Sequence, residues 1–317
     1  MRTFLLRRLG AVPVTLAGVS ILVFLATDVL PGDVGRTVLG REATAEAVAR
    51  YNHGLGLDDP VWVRYGRWLA HFLTGDWGAS YTLQEPVAAL VRDRLAASLL
   101  LALFAFVLLV PVALTAGLVA GARHDTWIDR AISGAGLALG ATPEFVTGVV
   151  LLVVFSVQLH WFPVSAQAAP GDGPLTVLGR LVLPALSLVL LCTGYVARHV
   201  RASAIAVVDG GYVRAARLRG TPPGRILVRH VLRNATVPAT SALGVQLQYL
   251  LGGLVVVELL FNYPGLGALL LQSAVDKDVP TLQATAMVLG VAYLTVTLLA
   301  DIVYRLLDPR VRLAVPA

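Results

Sequence analysis

The chain reads as an all-α polytopic membrane protein, with six transmembrane helices and a small helical extracytoplasmic insertion after the first. Three observations predict this. Of 317 residues, 57% are hydrophobic and only 14% are charged, where a soluble domain carries roughly a quarter charged. Six apolar runs approach or exceed the about 20 residues that a helix needs to cross a bilayer core. The arginines gather in particular loops, as membrane topology demands. The same confinement argues against nucleic acid as the partner of the net +6 charge.

The first run, 9–30, follows Arg2, Arg7 and Arg8 and has the look of a secretory leader. It is too long for a leader's apolar core and lacks a small-residue cleavage site, so it reads as an uncleaved first span. Residues 31–95 come next, with seven arginines against eight acids. Stretches such as "LGLDDPVWVRYGRWLAHFLTGDWGAS" place aromatics and apolar residues at helical spacing. They predict an ordered cap of short helices. The remaining spans are 96–121, 131–159, 181–200, 237–260 and 282–307. No alternating strand pattern appears, and lipid gives the backbone no partner but itself, so all six are helices. Pro111, Pro143 and Pro184 fall inside spans and predict kinks. No repeat or low-complexity tract divides the chain, which reads as one membrane domain, 1–317.

Arginine counts set the orientation. The N-terminal segment, the 121–130 turn (Arg123, Arg130), the 198–234 segment and the C-terminal segment (Arg305, Arg310, Arg312) are basic. The 160–180 and 261–281 loops hold only Arg180 and Lys277. With six spans, both termini face the cytoplasm and the 31–95 cap lies outside.

The stretch "GGYVRAARLRGTPPGRILVRHVLRN" (210–234) holds six arginines and no acid. On a helix over 211–219, Tyr212, Ala215 and Ala216 share one face, and Arg214, Arg217 and Leu218 the other. Gly220 ends the helix and Thr221-Pro222-Pro223 turns the chain. Arg225, Arg229 and Arg233 then recur opposite Ile226, Leu227, Val228 and Val231, an amphipathic pattern. Positive-inside anchoring alone would explain the charge. It would not call for the Tyr/Ala/Ala face or the Gly-then-Pro-Pro turn, which suit a short helix offered to a cytoplasmic partner.

Other positions leave two readings each. Glu144, just after Pro143, is an ionisable group at membrane depth and is either path-lining or structural. Gln246 and Gln248, with Tyr249 beside them, either hold helices together or line a path. The turn at 262–270 is either the simple exit of the fifth span or a shaped bend. The lone Cys192 excludes an intrachain disulfide, and the histidines lack metal-ligand spacing. No catalytic residue is expected. The P-loop pattern is absent, so ATP is not bound here through one.

"YVRAARLRG" followed by "RILVRHVLRNATVPA" resembles the EAA loop of binding-protein-dependent ABC importers, in the form found in the dipeptide/oligopeptide/nickel permeases. "GVSILVFLATDVLPGD", "LGLDDPVWVRYGRWL", "GDWGASY", "ATPEFVTGVVLLVVF", "WFPVS", "FNYPGLGALLLQSAVDKDVP" and "LLDPRVRL" resemble further family segments, in family order. The resemblance implies a type I importer permease fold and a coupling loop over 201–235. It implies half of a translocation path, completed by a second homologous permease subunit. Two cytoplasmic ATPase subunits would bind ATP and magnesium, and an extracytoplasmic substrate-binding protein would deliver peptides, nickel complexes or another small solute and touch the cap. No cofactor is expected in this chain. The signature glutamate is Arg214 here, so ATPase coupling falls to Tyr212, Ala215, Ala216 and Gly220, with Arg214 and Arg217 at the rim. Pro264, Gly265 and Gly267 would shape a re-entrant bend in the outer gate, and Glu144, Gln246, Gln248 and Tyr249 are the other path candidates. An ion-coupled secondary transporter would need paired intramembrane ionisable residues or inverted repeats, and a membrane scaffold would not transport at all.

Overall fold

Uninterrupted runs of Leu, Ala and Val favour the helix, and in lipid their backbone can bond only within it. A computed structural model describes residues 2–29, 34–40, 42–54, 56–169, 171–226 and 231–307. Its helices are α1 (Arg2–Val29), α2 (Val34–Leu39), α3 (Ala45–Gly54), α4 (Val61–Thr74), α5 (Val87–Ala122), α6 (Trp127–Ala141), α7 (Glu144–Leu151), α8 (Pro174–Val208), α9 (Gly211–Leu218), α10 (Pro223–Ile226), α11 (Arg233–Leu260), α12 (Leu266–Val275) and α13 (Val279–Leu307). Three short helices, α2 to α4, thus occupy the segment where a helical cap is expected.

Among the described residues, five stretches are long and apolar enough to cross a membrane: Gly10–Asp28, Val87–Ala122, Pro174–Val208, Ala239–Leu260 and Val279–Val303. Pro111 and Pro184 lie within α5 and α8 without ending them. The expected span over 131–159 differs. There the chain turns through 108° between α6 and α7. Pro143 has no N–H and pushes Thr142 out of the helical region, to φ −90° and ψ 128°. The expected kink is therefore a break. After α7, Leu152–Gln158 forms a wider π-helical segment. Fifteen residues of α6 give about 22 Å, short of a hydrocarbon core of about 30 Å.

The two halves nevertheless make one broken span. Asp129, at the start of α6, is held by Arg201 near the end of α8. Gly136 then meets Gly194 backbone to backbone. Beyond the π-helical segment, the Ala166 N–H donates to the Phe261 carbonyl just past α11 (2.7 Å). Asp172 pairs with Arg180 near the start of α8 (2.9 Å). As the chain advances from 129 to 172 its partners on α8 move from the end to the start, so it travels the length of α8.

The Gly136–Gly194 contact admits no side chain, because a Cβ on Gly194 would fall on the Gly136 carbonyl. Such small-residue contacts let helices approach where lipid removes the hydrophobic drive. Gly194→Val is expected to force α6 from α8 at a cost of about 1–3 kcal/mol, read as a lowered thermal midpoint in detergent. An unchanged midpoint contradicts the close contact.

The sequence reads as one membrane domain, and the chain folds as two units. One comprises Met1–Ser98 with Pro264–Thr295, the other Leu99–Tyr263 with Val296–Ala317, and α5 and α13 run from one into the other. In the first unit, α4 lies against α1. Tyr65 shares a hydrogen bond with Ser20 (2.8 Å), Arg64 pairs with Asp28 (2.7 Å), and Phe24, Tyr65, Trp68, Phe72 and Trp77 form a chain of ring contacts. Among the cap aromatics, Trp62 is exposed, whereas Tyr65, Trp68 and Trp77 are half-buried. Below them, Val87 and Val91 of α5 pack with Leu266 and Leu269 of α12 and Ala284 of α13.

In the second unit α8 is the central helix, packed against α6, α7 and α11. Its Leu181, Leu183, Leu188, Val189 and Val196 are buried.

Candidate functional site

The arginine-rich stretch begins where α8 ends. Val208 closes α8, Asp209 and Gly210 turn the chain, and the Gly210 carbonyl accepts the N–H groups of Val213 (3.0 Å) and Arg214 (3.2 Å) to start α9. α9 then rests on α8 and α10. Val213 (0% exposed) and Ala216 (2%) point inward, one turn apart. Tyr212 (48%), Arg214, Ala215, Leu218 (85%) and Arg219 stand outward. This corrects the expected partition in two places. Ala216 belongs to the inner face with Val213, and Leu218 joins Ala215, three residues before it, on the outer face. Each residue turns a helix by about 100°, and Val213 is the most apolar side chain of the first turn, so its burial rotates Ala216 inward.

The end of α9 follows the sequence reading. Gly220 is left-handed at φ 77°. The Thr221 N–H donates to the Ala216 carbonyl (3.1 Å), closing the helix in a Schellman turn. Pro222 and Pro223 follow, and the Pro222 carbonyl accepts from Arg225 (3.0 Å) and Ile226 (3.1 Å) to open α10. Arg225 is exposed, and Ile226 and Val231 are buried, as the amphipathic pattern requires. Leu227, Val228 and Arg229 lie outside the described residues, as do the side chains of Arg217 and Arg233. Open space surrounds Gly220, so Gly220→Val would be penalised through its backbone alone, by about 1–2 kcal/mol. The expected result is a chain that still folds but loses the transport that the family resemblance implies. Full uptake would show that the exit angle of α9 is unimportant.

Arg214, Arg219 and Arg225 make no ion pair among the described residues. Arg201, counted by sequence with the same basic group, does. Its Nε and Nη2 donate to the two oxygens of Asp129 at 2.5 and 2.6 Å. Asp129 also accepts from the Asp125 N–H (3.0 Å) and the Ser133 hydroxyl (3.3 Å). Its own N–H reaches the Thr126 hydroxyl that caps α6. Sequence reasoning missed this carboxylate. The signal was "TWID", a Thr-x-x-Asp box at a helix start.

Glu144 starts α7 immediately after the break, half-buried, where a helix N-terminus favours a carboxylate. Its charge acts on Cys192 of α8 and Tyr249 of α11, so Glu144 and Tyr249 share one neighbourhood. Along α11, Val245 and Tyr249 are exposed, Gln248 is half-buried, and Gln246 is buried on the side of Ala242 and Leu250. Gln246 thus faces the helix bundle, as an amide that joins helices does, and Tyr249 faces out of it.

The turn after α11 is made by Asn262 at φ 47°, the residue type besides Gly that best tolerates that region. Its amide reaches the Ser165 hydroxyl (3.2 Å). Gly265 is extended, and Pro264, Gly265 and Gly267 lead into α12, whose Leu266 N–H donates to the Ser98 hydroxyl (2.7 Å). These three residues belong to the first unit, whereas Glu144, Gln246, Gln248 and Tyr249 belong to the second. α12 has ten residues, too few to cross.

A second unforeseen carboxylate is Asp278, fully buried before α13. It accepts from Ser80, from the Tyr81 N–H (3.1 Å), from Thr82 (3.2 Å) and from Thr281 (2.8 Å). It thereby fastens the loop below α4 to the last long helix. Burial, with Tyr51 and the Asp278 charge adding to it, pushes the Tyr81 phenol up to about 12, so it remains a neutral group. Among the described residues, no group of three or more His, Cys, Asp or Glu is placed to hold a metal ion.

Comparison with known proteins matches residues 113–313 to the family described as binding-protein-dependent transport system inner membrane component. Residues 1–102 match the N-terminal model of binding-protein-dependent transport system membrane components. The chain is 38% identical over 313 residues to a protein of Brucella abortus (strain 2308) named as a peptide transport system permease, covering 98% of this chain and 99% of that one. It is 32% identical over 312 residues to a peptide ABC transporter permease of Sinorhizobium fredii, covering 98% and 100%. It is 34% identical over 318 residues to the glutathione transport system permease protein GsiC of Salmonella paratyphi A, covering 98% and 99%.

Proposed function

The chain belongs to the family of binding-protein-dependent transport system inner membrane components, and on that premise we propose that it forms half of a peptide import path. A second homologous permease subunit completes the path. Two cytoplasmic ATPase subunits bind ATP with magnesium and supply the work, an extracytoplasmic binding protein delivers the cargo, and this chain catalyses nothing itself. The choice of peptides is supported by the names of the relatives, and nickel complexes or another small solute are the alternative cargo. The arginine distribution supports an orientation in the cytoplasmic membrane with both termini inside, since six crossings return the chain to its starting side.

The observation that carries this reading is α9, a short helix with an outward Tyr212–Ala215–Leu218 face, flanked by Arg214 and Arg219, which make no ion pair among the described residues. Pressure on that face passes through the short Asp209–Gly210 turn into α8. The Arg201–Asp129 pair and the Gly136–Gly194 contact bind α8 to α6, and α11 packs along it. These helices therefore move as one body, the kind of two-position element that coupling requires. Glu144 and Tyr249 ride on that body and are the residues proposed to face the path.

The test is reconstitution of both permeases and the ATPases in proteoliposomes, with binding protein outside and a labelled tripeptide as cargo. Uptake that requires both ATP and binding protein is expected. Uptake driven by an ion gradient without ATP would overturn the proposal.

A further inference from the structure

The cap helix α4 is apolar on more sides than its packing covers. Tyr65, Trp68 and Phe72 turn inward, into the ring contacts that begin at Phe24 of α1. A second apolar set stays bare. Trp62 and Leu73 are 75% and 76% exposed, and Val63, Gly66 and Ala70 are exposed with them. At about 100° per residue these five share one side of the helix. Arg67, His71 and Thr74 form a third, polar side, which is also exposed. The depth of α4 follows from what it touches. Asp28, the partner of Arg64, ends the Gly10–Asp28 stretch that is long and apolar enough to cross a membrane. Ser20, which shares a hydrogen bond with Tyr65, lies about 12 Å further in along α1. α4 therefore lies beside the outer part of a span, and at the same level α1 leaves Ile21, Leu22 and Leu25 exposed.

We propose that α4 is bound in the outer leaflet, at the boundary between headgroups and acyl chains, with Trp62, Val63, Gly66, Ala70 and Leu73 against lipid. An amphipathic helix in that layer sinks its apolar side by about 5–10 Å and keeps its polar side in water. Trp62 supplies the ring type that collects at this level, and Arg67, His71 and Thr74 supply the wet side. A binding protein that visits and leaves is met by a surface mixing polar with apolar groups. The bare side of α4 carries no charge, and left in water between visits it would be an association hazard. The segment placed outside by sequence thus contains a membrane-bound helix that braces the outer end of α1. Contact with lipid is independent of cargo and ATP, and only the choice of leaflet rests on the orientation proposed above.

The test is electron paramagnetic resonance on the assembled permease–ATPase complex, in nanodiscs of phosphatidylethanolamine and phosphatidylglycerol. In a chain with Cys192→Ala, the single changes Trp62→Cys, Leu73→Cys and His71→Cys each carry one spin label. All three side chains are exposed, so the labels enter without disturbing the fold. The relaxing agents are oxygen, which concentrates among acyl chains, and chromium oxalate, which stays in water. The ratio of oxygen to chromium oxalate relaxation at 62 and 73 is expected to approach that of a lipid labelled near the top of its acyl chain. At 71 it should approach that of free label in water. Adding the binding protein should leave the ratios at 62 and 73 unchanged. Water-like ratios at 62 and 73 would overturn the proposal. So would labels there that neither agent reaches, whether from the start, which marks cover by another subunit, or only after the binding protein is added.

Discussion

An Ala215→Glu variant is expected to accumulate in the membrane at the level of the unaltered chain and to lose ATP-driven uptake. Ala215 is exposed at the centre of the outer face of α9, between Tyr212 and Leu218. In this chain alone a glutamate there meets water, and such surface changes stay within about 0.5 kcal/mol. A partner that covers the face would enclose an unpaired charge, at a cost of several kcal/mol. Ala216→Glu makes the informative contrast. Its site is covered by the chain's own residues, so the charge is enclosed before any partner arrives, with a cost of about 3–5 kcal/mol. That variant should lose abundance and protease resistance, whereas Ala215→Glu should not. Arg214→Ala should be mild, because an exposed ion pair contributes only about 0–1 kcal/mol. Immunoblotting of membranes alongside uptake separates the three.

The second large effect is expected at Asp129. Its side chain is 4% exposed and accepts four hydrogen bonds, two of them from Arg201. Asp129→Ala strands the guanidinium and leaves the Asp125 N–H without its acceptor. Because Arg201 keeps partial contact with solvent, the loss should fall below that of a fully enclosed pair, at about 2–4 kcal/mol. A lowered thermal midpoint of the purified chain reads this loss. The double variant Asp129→Leu with Arg201→Met should recover part of it, since removing both partners leaves no stranded charge. Equal midpoints for Asp129→Ala and the unaltered chain would show that the pair does not hold α6 to α8.

Much of this architecture is local and therefore legible in sequence. The apolar lengths mark the spans, and Gly220 with Pro222-Pro223 marks the end of α9, because left-handed backbone and a missing N–H act on their own neighbourhood. The break at Pro143 was visible as a kink, but the 108° angle depends on how α6 and α7 lie against α8. Which alanine of α9 faces outward was not legible. Ala215 and Ala216 differ by one helical step, and only the helices beneath decide which is covered. The roles of Asp129 and Asp278 were not legible because their donors, Arg201 and Ser80, lie 72 and 198 residues away.

The central claim is that the outward face of α9 meets the ATPase subunit, and cysteine crosslinking tests it most directly. Cys192, the chain's one cysteine, is buried and can be replaced by alanine to give a clean background. Single cysteines at 215 and 216 would then be treated with a short bifunctional thiol reagent in complexes carrying cysteines around the ATPase surface. The account predicts crosslinks from position 215 that change in yield when ATP is added, and none from position 216. Crosslinks from 216 but not 215, or none from either in a complex that still imports, would contradict it.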